Sequence, residues 1–328
     1  MMTTEKPTRY GLEFPTRRQE LPSPFDFHVH SCYSDASPHR TPFRVCMEAR
    51  NAGIGHISFT DHDYMMPEKK RKSLSDFFGI DVVAGCEVSL FWKVPVPNGR
   101  KVLVHVNRHW GTADDPAFRK VLEHNQNQDF EGNAKAMLEQ LLHKEGIDPS
   151  GQGVDASWQM ILKNNPFSVH PAKRAVGDLV AAAGYAASRR EATDRWLRKG
   201  CSCYVPPTAY FNYADFEEGM AAITAHSVCT LNHVYAYDLT EEELHLLLRD
   251  FKALGGNALE VIYPHYDRRK QRQLLGLAHQ YDLEISAGSD THDDDRDFMR
   301  GDPVMFRRLR ELQRDLHGPI QGGWDICT

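Results

Sequence analysis

Residues 24–30, PFDFHVH, alternate between apolar and polar positions. Phe25, Phe27 and Val29 fall on one side of an extended chain, and Asp26, His28 and His30 on the other. The pattern predicts a strand with two imidazoles on one face. Thr41-Pro42 then offers an N-cap and a first-turn proline, opening a helix that Gly53 can close. Short β-branched runs recur: HISFT (56–60), IDVVAG (80–85), KVLVHV (101–106), SVCTL (227–231), ALEVIY (258–263) and LEISAG (283–288). Helical patterns are expected from near Asn212, from Glu241 to Leu254, and over DRRKQRQLLGLAHQY (267–281). Seven candidate strands, most followed by a helix, predict an α/β fold with a parallel sheet.

The rhythm lapses between residues 111 and 207. Helical patterns dominate there (NAKAMLEQLLHKEG, VGDLVAAAGYA, REATDRWLRKG). The expected organisation is an N-terminal arm over 1–24, a strand–helix domain over 25–110 and 208–328, and an inserted helical subdomain for substrate recognition over 111–207. Polar, ligand-capable side chains sit at or just past the C-terminal ends of the strands, which is where a (β/α) barrel builds its active site.

Composition narrows the class. With 328 residues, 41% hydrophobic and 26% charged, the chain is an ordinary globular one. A net charge of −6 argues against a broad surface for long nucleic acid but leaves room for a local phosphate pocket. No apolar run is long enough to span a bilayer, and the polar N-terminus lacks a secretory core, so a cytoplasmic protein is expected. Seven scattered cysteines, Cys201 and Cys203 among them, fit reduced thiols rather than a disulfide framework. Oligomeric state is left open.

The candidate chemistry lies in the histidines and acids. Divalent transition metals bind neutral imidazole and carboxylate, and clustered metals need bridging carboxylates to offset their repulsion. His28, His30, Asp35, His62, Glu87, His105, His233, Asp290 and His292 are the candidates. A lone strand-end histidine is usually a packing or capping residue. The informative feature is joint: an HxH pair ends the first strand and Asp290-Thr291-His292 follows the last, and these strands become neighbours when a barrel closes.

DFHVHSCYSDAS, FTDHD, AGCEVS, VHV, LNHV and SAGSDTHD occur in the order and approximate spacing of the motifs of PHP (polymerase and histidinol phosphatase) phosphoesterases, which the chain resembles over about residues 25–107 and 208–295. The segment AAAGYAASRREATDRWLRKGCSCYVP also resembles the subgroup of nucleotide phosphatases and related exonucleases. The resemblance implies a distorted (β/α)7 barrel holding three divalent ions, manganese, iron or zinc. By motif, His28, His30, Glu87 and Asp290 would hold the first. Glu87 would bridge to a second completed by His105 and His233, and Asp35, His62 and His292 would hold the third. Asp61 and Asp63 flank His62 and are expected to orient an imidazole through its other nitrogen. The chain departs from the family at Asn232-His233-Val234, where Ala-His-Pro is usual, and at Ser168, where an arginine often precedes the substrate-facing histidine, here His170.

The implied activity is hydrolysis of a phosphate ester of a small metabolite, a nucleotide or sugar phosphate, by a metal-activated hydroxide. Glu87 is expected at the catalytic centre, with His265 or His170 as proton donor to the leaving oxygen. Lys173, Arg174, Arg195 and Arg198 from the insertion, and Arg268 and Arg269 after the sixth strand, are candidates to grip a phosphate. Arg268 and Arg269 open a helix, where cations are disfavoured unless an anion is near. Competing readings are an exonuclease on short oligonucleotides, an amidohydrolase acting on C–N or C–O bonds, and a non-catalytic metal-binding domain.

Overall fold

The structure is a computed structural model that describes residues 23–171, 173–293 and 297–317. The expected arm therefore lies, except for its last two residues, outside the described residues. Local sequence chemistry accounts for the elements that carry the site. Strand β1 (Phe25–Val29) is buried on both faces: Phe25 and Phe27 pack beside Trp110 and Phe306, while His28 faces inward. Helix α1 (Pro42–Asn51) starts where the Thr41 hydroxyl accepts the Arg44 N–H, and the chain leaves it through Gly53 at φ +73°. Strand β2 (His56–Phe59), helix α2 (Glu68–Phe78) and strand β3 (Asp81–Val83) follow, and β1, β2 and β3 form a parallel sheet in that order.

A second sheet holds five strands in the order β4 (Gly85–Lys93), β5 (Lys101–His109), β6 (Val228–Leu231), β7 (Ala258–Ile262) and β8 (Glu284–Ala287). Here two expectations are corrected. Eight strands are present among the described residues, and β5 runs antiparallel to both β4 and β6. The reason lies in 85–106: two alternating runs flank Pro97-Asn98-Gly99, with Asn98 at φ +58°, so the chain folds back as a hairpin. Cys86, Val88, Leu90 and Trp92 of β4 point into the main core, leaving Glu87 on the opposite face. Strands β6, β7 and β8 pair in parallel.

The two sheets meet at both seams. At one, Asp290 N–H donates to His28 O (2.7 Å) and His30 N–H to Thr291 O (3.1 Å). At the other, Asp63 N–H donates to Glu87 O (2.8 Å) and Glu87 N–H to Asp61 O (3.3 Å). The ends of β1, β2, β4 and β8 thereby converge on one region.

The segment 111–207 divides. Helix α3 (Pro116–Gln126) packs on the main core through Phe118, Val121 and Leu122. A separate core begins in α4 (Phe130–Glu145) and takes in α5 (Val154–Asn164), α6 (Lys173–Ala182), α7 (Arg189–Ala192) and a π-helical turn (Thr193–Leu197), centred on Met137, Leu141, Trp158, Leu179 and Trp196. Phe130, Phe211, Tyr213 and Phe91 join it to β4. Helix α8 (Phe216–Ile223) begins four residues after Asn212, because Ala214 O still accepts the Phe91 N–H and Asp215 is the cap. Helix α9 (Glu241–Ala253) opens with a Thr240/Glu243 capping box, α10 (Arg268–Gln280) is capped by Asp267, and α11 (Pro303–His317) completes the described chain. No helix among the described residues is long and apolar enough to cross a membrane, and the six cysteines there are unpaired.

Candidate metal centre

Glu87 is the focus. It is fully buried on β4, and five imidazoles approach its two carboxylate oxygens. His28 Nε2 (3.2 Å), His30 Nε2 (3.2 Å) and His62 Nδ1 (3.3 Å) face Oε2. His105 Nδ1 (3.3 Å) and His233 Nε2 (3.2 Å) face Oε1. Asp290 Oδ1 lies 3.3 Å from His30 Nε2, and Asp35 Oδ1 lies 2.9 Å from His292 Nε2 and 3.8 Å from His62 Nε2. All nine sequence candidates therefore meet in one region.

Three donor groups emerge, each with its atoms within 4.8 Å of one another: His28, His30 and Glu87; His62, Glu87 and His105; and His30, Asp35, His62 and His292. The sharing of His30 and His62 between groups was not implied by the motifs. His233 and Asp290 border these groups through Glu87 and His30. Backbone strain gathers here too, with His233 at φ +25°, Asp290 at +48° and Asp63 at +49°.

The donor set fits divalent transition metals. His28 Nε2, His30 Nε2, His62 Nδ1, His105 Nδ1, His292 Nε2, Glu87 Oε2 and Asp35 Oδ1 are buried without a hydrogen bond of good geometry, and unsatisfied buried polar atoms are rare. A mixed imidazole and carboxylate set is the chemistry such ions take. The electrostatics agree. Burial opposes ionisation of Glu87, yet His28, His62 and His105 outweigh it and hold the carboxyl well below the usual range. Asp35, against burial, is held well below by His292, Arg174 and His62. Burial pushes His62 well below its ordinary range, and burial with Arg174 brings His292 down to about 3, so both imidazoles give up their protons readily to a cation. His30 overcomes burial to reach about 9 through Asp290 and Glu87. The buried carboxylates thus demand positive charge, which protons on imidazole or bound cations can supply.

Several supporting residues escaped the sequence reading. Glu260, buried on β7, accepts from His28 Nδ1 (2.8 Å) and from the His233 N–H (2.9 Å). Asn232 donates to Glu87 Oε1 (2.8 Å), and the Tyr263 hydroxyl donates to Asp290 Oδ2 (2.8 Å). A glutamate inside the apolar run ALEVI was the available signal, since burying an acid in a strand is costly without a partner.

Asp61 and Asp63 are corrected in their targets. Neither carboxylate pairs with His62: Asp61 turns towards the Ser31–Ser34 loop, and Asp63, left-handed at φ +49°, turns towards Asn125 and His170. Asp61 accepts from Ser31 N–H (2.6 Å), Ser31 Oγ (2.6 Å) and Ser34 Oγ (2.9 Å), and Ser34 Oγ in turn lies 3.3 Å from His30 Nδ1. Asp63 accepts from Asn125 (2.7 Å) and the Ser89 N–H (3.0 Å), and its Oδ2 lies 3.1 Å from His170 Nε2.

His170 is buried, with its ring 5.6 Å from that of His62 and parallel to Tyr213. His265 is exposed beside Tyr263. Arg174 Nε lies 2.7 Å from Asp35 Oδ2, with exposed Lys173 next to it in the chain. The other basic candidates lie on exposed surface: Arg195 stacks over Trp196 and Arg198 pairs with Asp194. Arg268 and Arg269 are exposed at the start of α10, where Asp267 itself supplies the anion. Ser168, at the position of the family's arginine, donates to Ser34 O.

No family model matches the chain. It is 25% identical over 270 residues to a 5'-3' exoribonuclease of Haemophilus influenzae, covering 82% of this chain and 89% of that protein. It is 24% identical over 276 residues to a 3',5'-nucleoside bisphosphate phosphatase of Chromobacterium violaceum, covering 81% and 86%. A 77-residue stretch, 24% of this chain, is 36% identical to a phosphoribosyl 1,2-cyclic phosphate 1,2-diphosphodiesterase of Eggerthella lenta and covers 28% of it. Among solved structures, an amidohydrolase from Chromobacterium violaceum with bound sulfate superposes with a TM-score of 0.74 at 22% identity, covering 89% of this chain and 97% of that one. A structure from Bifidobacterium adolescentis assigned as a metal-dependent phosphoesterase gives 0.69 at 20% identity, covering 87% and 94%. These likenesses are consistent with the resemblance in motif order to PHP-type phosphoesterases, and the two solved structures add a shared fold.

Proposed function

We propose that the chain is a metal-dependent hydrolase of phosphoric esters, acting on a small phosphorylated metabolite, a nucleotide or sugar phosphate. The observation that carries this reading is the approach of five imidazoles to the single carboxylate of Glu87. The two sheets are read here as one distorted barrel, closed where His62 bridges Glu87 and Val29 bridges Thr291.

His28, His30, Glu87 and Asp290 would hold one divalent ion, Glu87, His105 and His233 a second, and Asp35, His62 and His292 a third, with manganese, iron and zinc all compatible. Such ions would neutralise phosphate oxygens and make a water acidic enough to attack at neutral pH. The chain's own residues do the rest. Glu260 fixes the His28 ring by accepting at Nδ1, so that Nε2 points to the centre. Arg174 and Lys173 stand at the Asp35 side and would bind a non-bridging phosphate oxygen or a second phosphate. Asp63 accepts the His170 Nε2 proton, so Nδ1 is the atom that would deliver a proton to the leaving oxygen. His170 is preferred to exposed His265 because it alone stands beside the cluster in a fixed orientation.

One observation favours a second reading, exonucleolytic cleavage of short oligonucleotides: the 25% identity to an exoribonuclease spans most of both chains. A panel of nucleoside mono- and bisphosphates, sugar phosphates and 5'-labelled oligonucleotides, assayed with manganese, separates the two. Phosphate release from the small esters, with oligonucleotides turned over at least tenfold more slowly, supports the first. Turnover that rises with oligonucleotide length and falls steeply with salt supports the second.

A further inference from the structure

We propose that Arg189 is a positioning residue, through which the helical segment holds the Asp35–His292 part of the cluster in metal-binding shape. This rests on the metal-cluster reading above. Arg189 stands in α7, and its side chain is only 7% exposed. Its Nη1 donates to the backbone carbonyl of Asp35 (3.4 Å) and to Asp178 Oδ2 (3.3 Å), and its Nη2 is ion-paired with Asp293. Asp35 is a candidate ligand, and Asp293 directly follows another, His292. One guanidinium therefore ties together the two loops that supply this part of the cluster.

The neighbouring contacts show the same seam from the barrel side. Ser37 N–H donates to His292 O (2.9 Å), and buried Arg40 donates through Nη1 to Asp293 O (3.2 Å). Asp293 is thus held between an arginine of the barrel loop and one of the inserted segment, and Asp178 of α6 anchors the second. A planar fork can serve three acceptors at once, whereas a lysine ammonium on its flexible stem cannot hold the same geometry. Of the remaining donors, His28, His30, Glu87 and His105 stand on strands β1, β4 and β5 or directly at their ends, a stiffer support than two loops. Metal ligands must sit within about 0.2 Å of their bonding distances, so a small loop shift weakens one ion selectively.

The test is a metal count. Wild type, Arg189→Ala, Arg189→Lys and the exposed control Arg198→Ala are stripped, loaded with manganese, dialysed and measured by elemental analysis and chelator competition. Metal-free melting is recorded in parallel. Both Arg189 variants are expected to lose about one equivalent, or to hold it at least tenfold more weakly, while keeping the others. Arg198→Ala should match wild type. Full retention at wild-type affinity overturns the proposal, and so does an equal weakening of every ion that tracks a lower metal-free melting point. If Arg189→Ala does not fold, Asp293→Asn must give the same selective loss, and its failure to do so counts equally against the proposal. A wild type that binds one ion or none overturns the cluster reading itself, and is seen separately from the variants.

Discussion

Glu260 Oε1 lies 2.8 Å from His28 Nδ1, and its other oxygen accepts the backbone N–H of His233 at 2.9 Å. One buried carboxylate on β7 therefore sets both the ring of a β1 histidine and the turn that presents a β6 histidine. Carboxylates behind ligating histidines typically contribute a factor of about 10–100 in metal affinity. Glu260→Gln should weaken manganese binding by about that factor in a chelator competition, with the far-ultraviolet spectrum unchanged. Unchanged affinity would mean that Glu260 is a packing residue only.

Glu87 and Asp63 should fail in different ways. Glu87→Gln removes the charge that faces five imidazoles, so bound metal and activity should fall together, activity by at least about 1000-fold. Asp63→Asn leaves that carboxylate in place but loosens His170 and Asn125. Metal content should be retained while turnover falls about 10–100-fold, chiefly for substrates with poor leaving groups. Equal loss of metal in both variants would contradict the assignment of Asp63 to His170.

The candidate ligands that the fold brings together were largely legible in the sequence because most sit in short motifs near strand ends, as in DFHVH and SDTHD. What supports them was not. Glu260 and Tyr263 lie in no motif, and Arg189 acts on Asp35 and Asp293 across 154 and 104 positions, contacts that only the folded chain reveals. The β4–β5 hairpin is signalled by Asn98-Gly99, but the run GCEVSLFWK before it holds a single β-branched residue, Val88. Arg195 and Arg198 drew notice as charges in a resembling segment, yet their side chains are spent on Trp196 and Asp194.

Acid stability should carry the mark of His109. Burial, and secondarily the charge of His28, bring this imidazole down to about 3 from 6.5, with Ser58 Oγ 3.0 Å from its Nδ1. The unfolded chain takes up the proton first, so the contribution is complete above about pH 6.5 and is lost as pH falls towards 3. The slope is about 1.4 kcal/mol per pH unit. Urea unfolding of metal-free protein between pH 6.5 and 4.5 should show wild type losing stability faster than His109→Phe by about that slope. Parallel curves would show that His109 does not titrate this way.

Replacing residues 111–207 with a short linker tests whether that segment only recognises substrate. It removes Asn125, His170, Arg174 and Arg189 together, all of which touch Asp63 or Asp35. Turnover of a generic aryl phosphate, expected to survive if the segment were a recognition element alone, should therefore fall at least about 100-fold. Survival of aryl phosphate turnover with lost selectivity would confine the segment to recognition.

The central claim is that several divalent ions held around Glu87 are required for phosphoester hydrolysis. The most direct measurement is a titration of rigorously stripped protein with manganese, following bound metal per chain and phosphate release from a nucleotide in the same samples. More than two ions per chain at full activity, with negligible release from stripped protein and no recovery in Glu87→Gln, is the predicted result. Full activity with a single bound ion, or in stripped protein, would contradict the account.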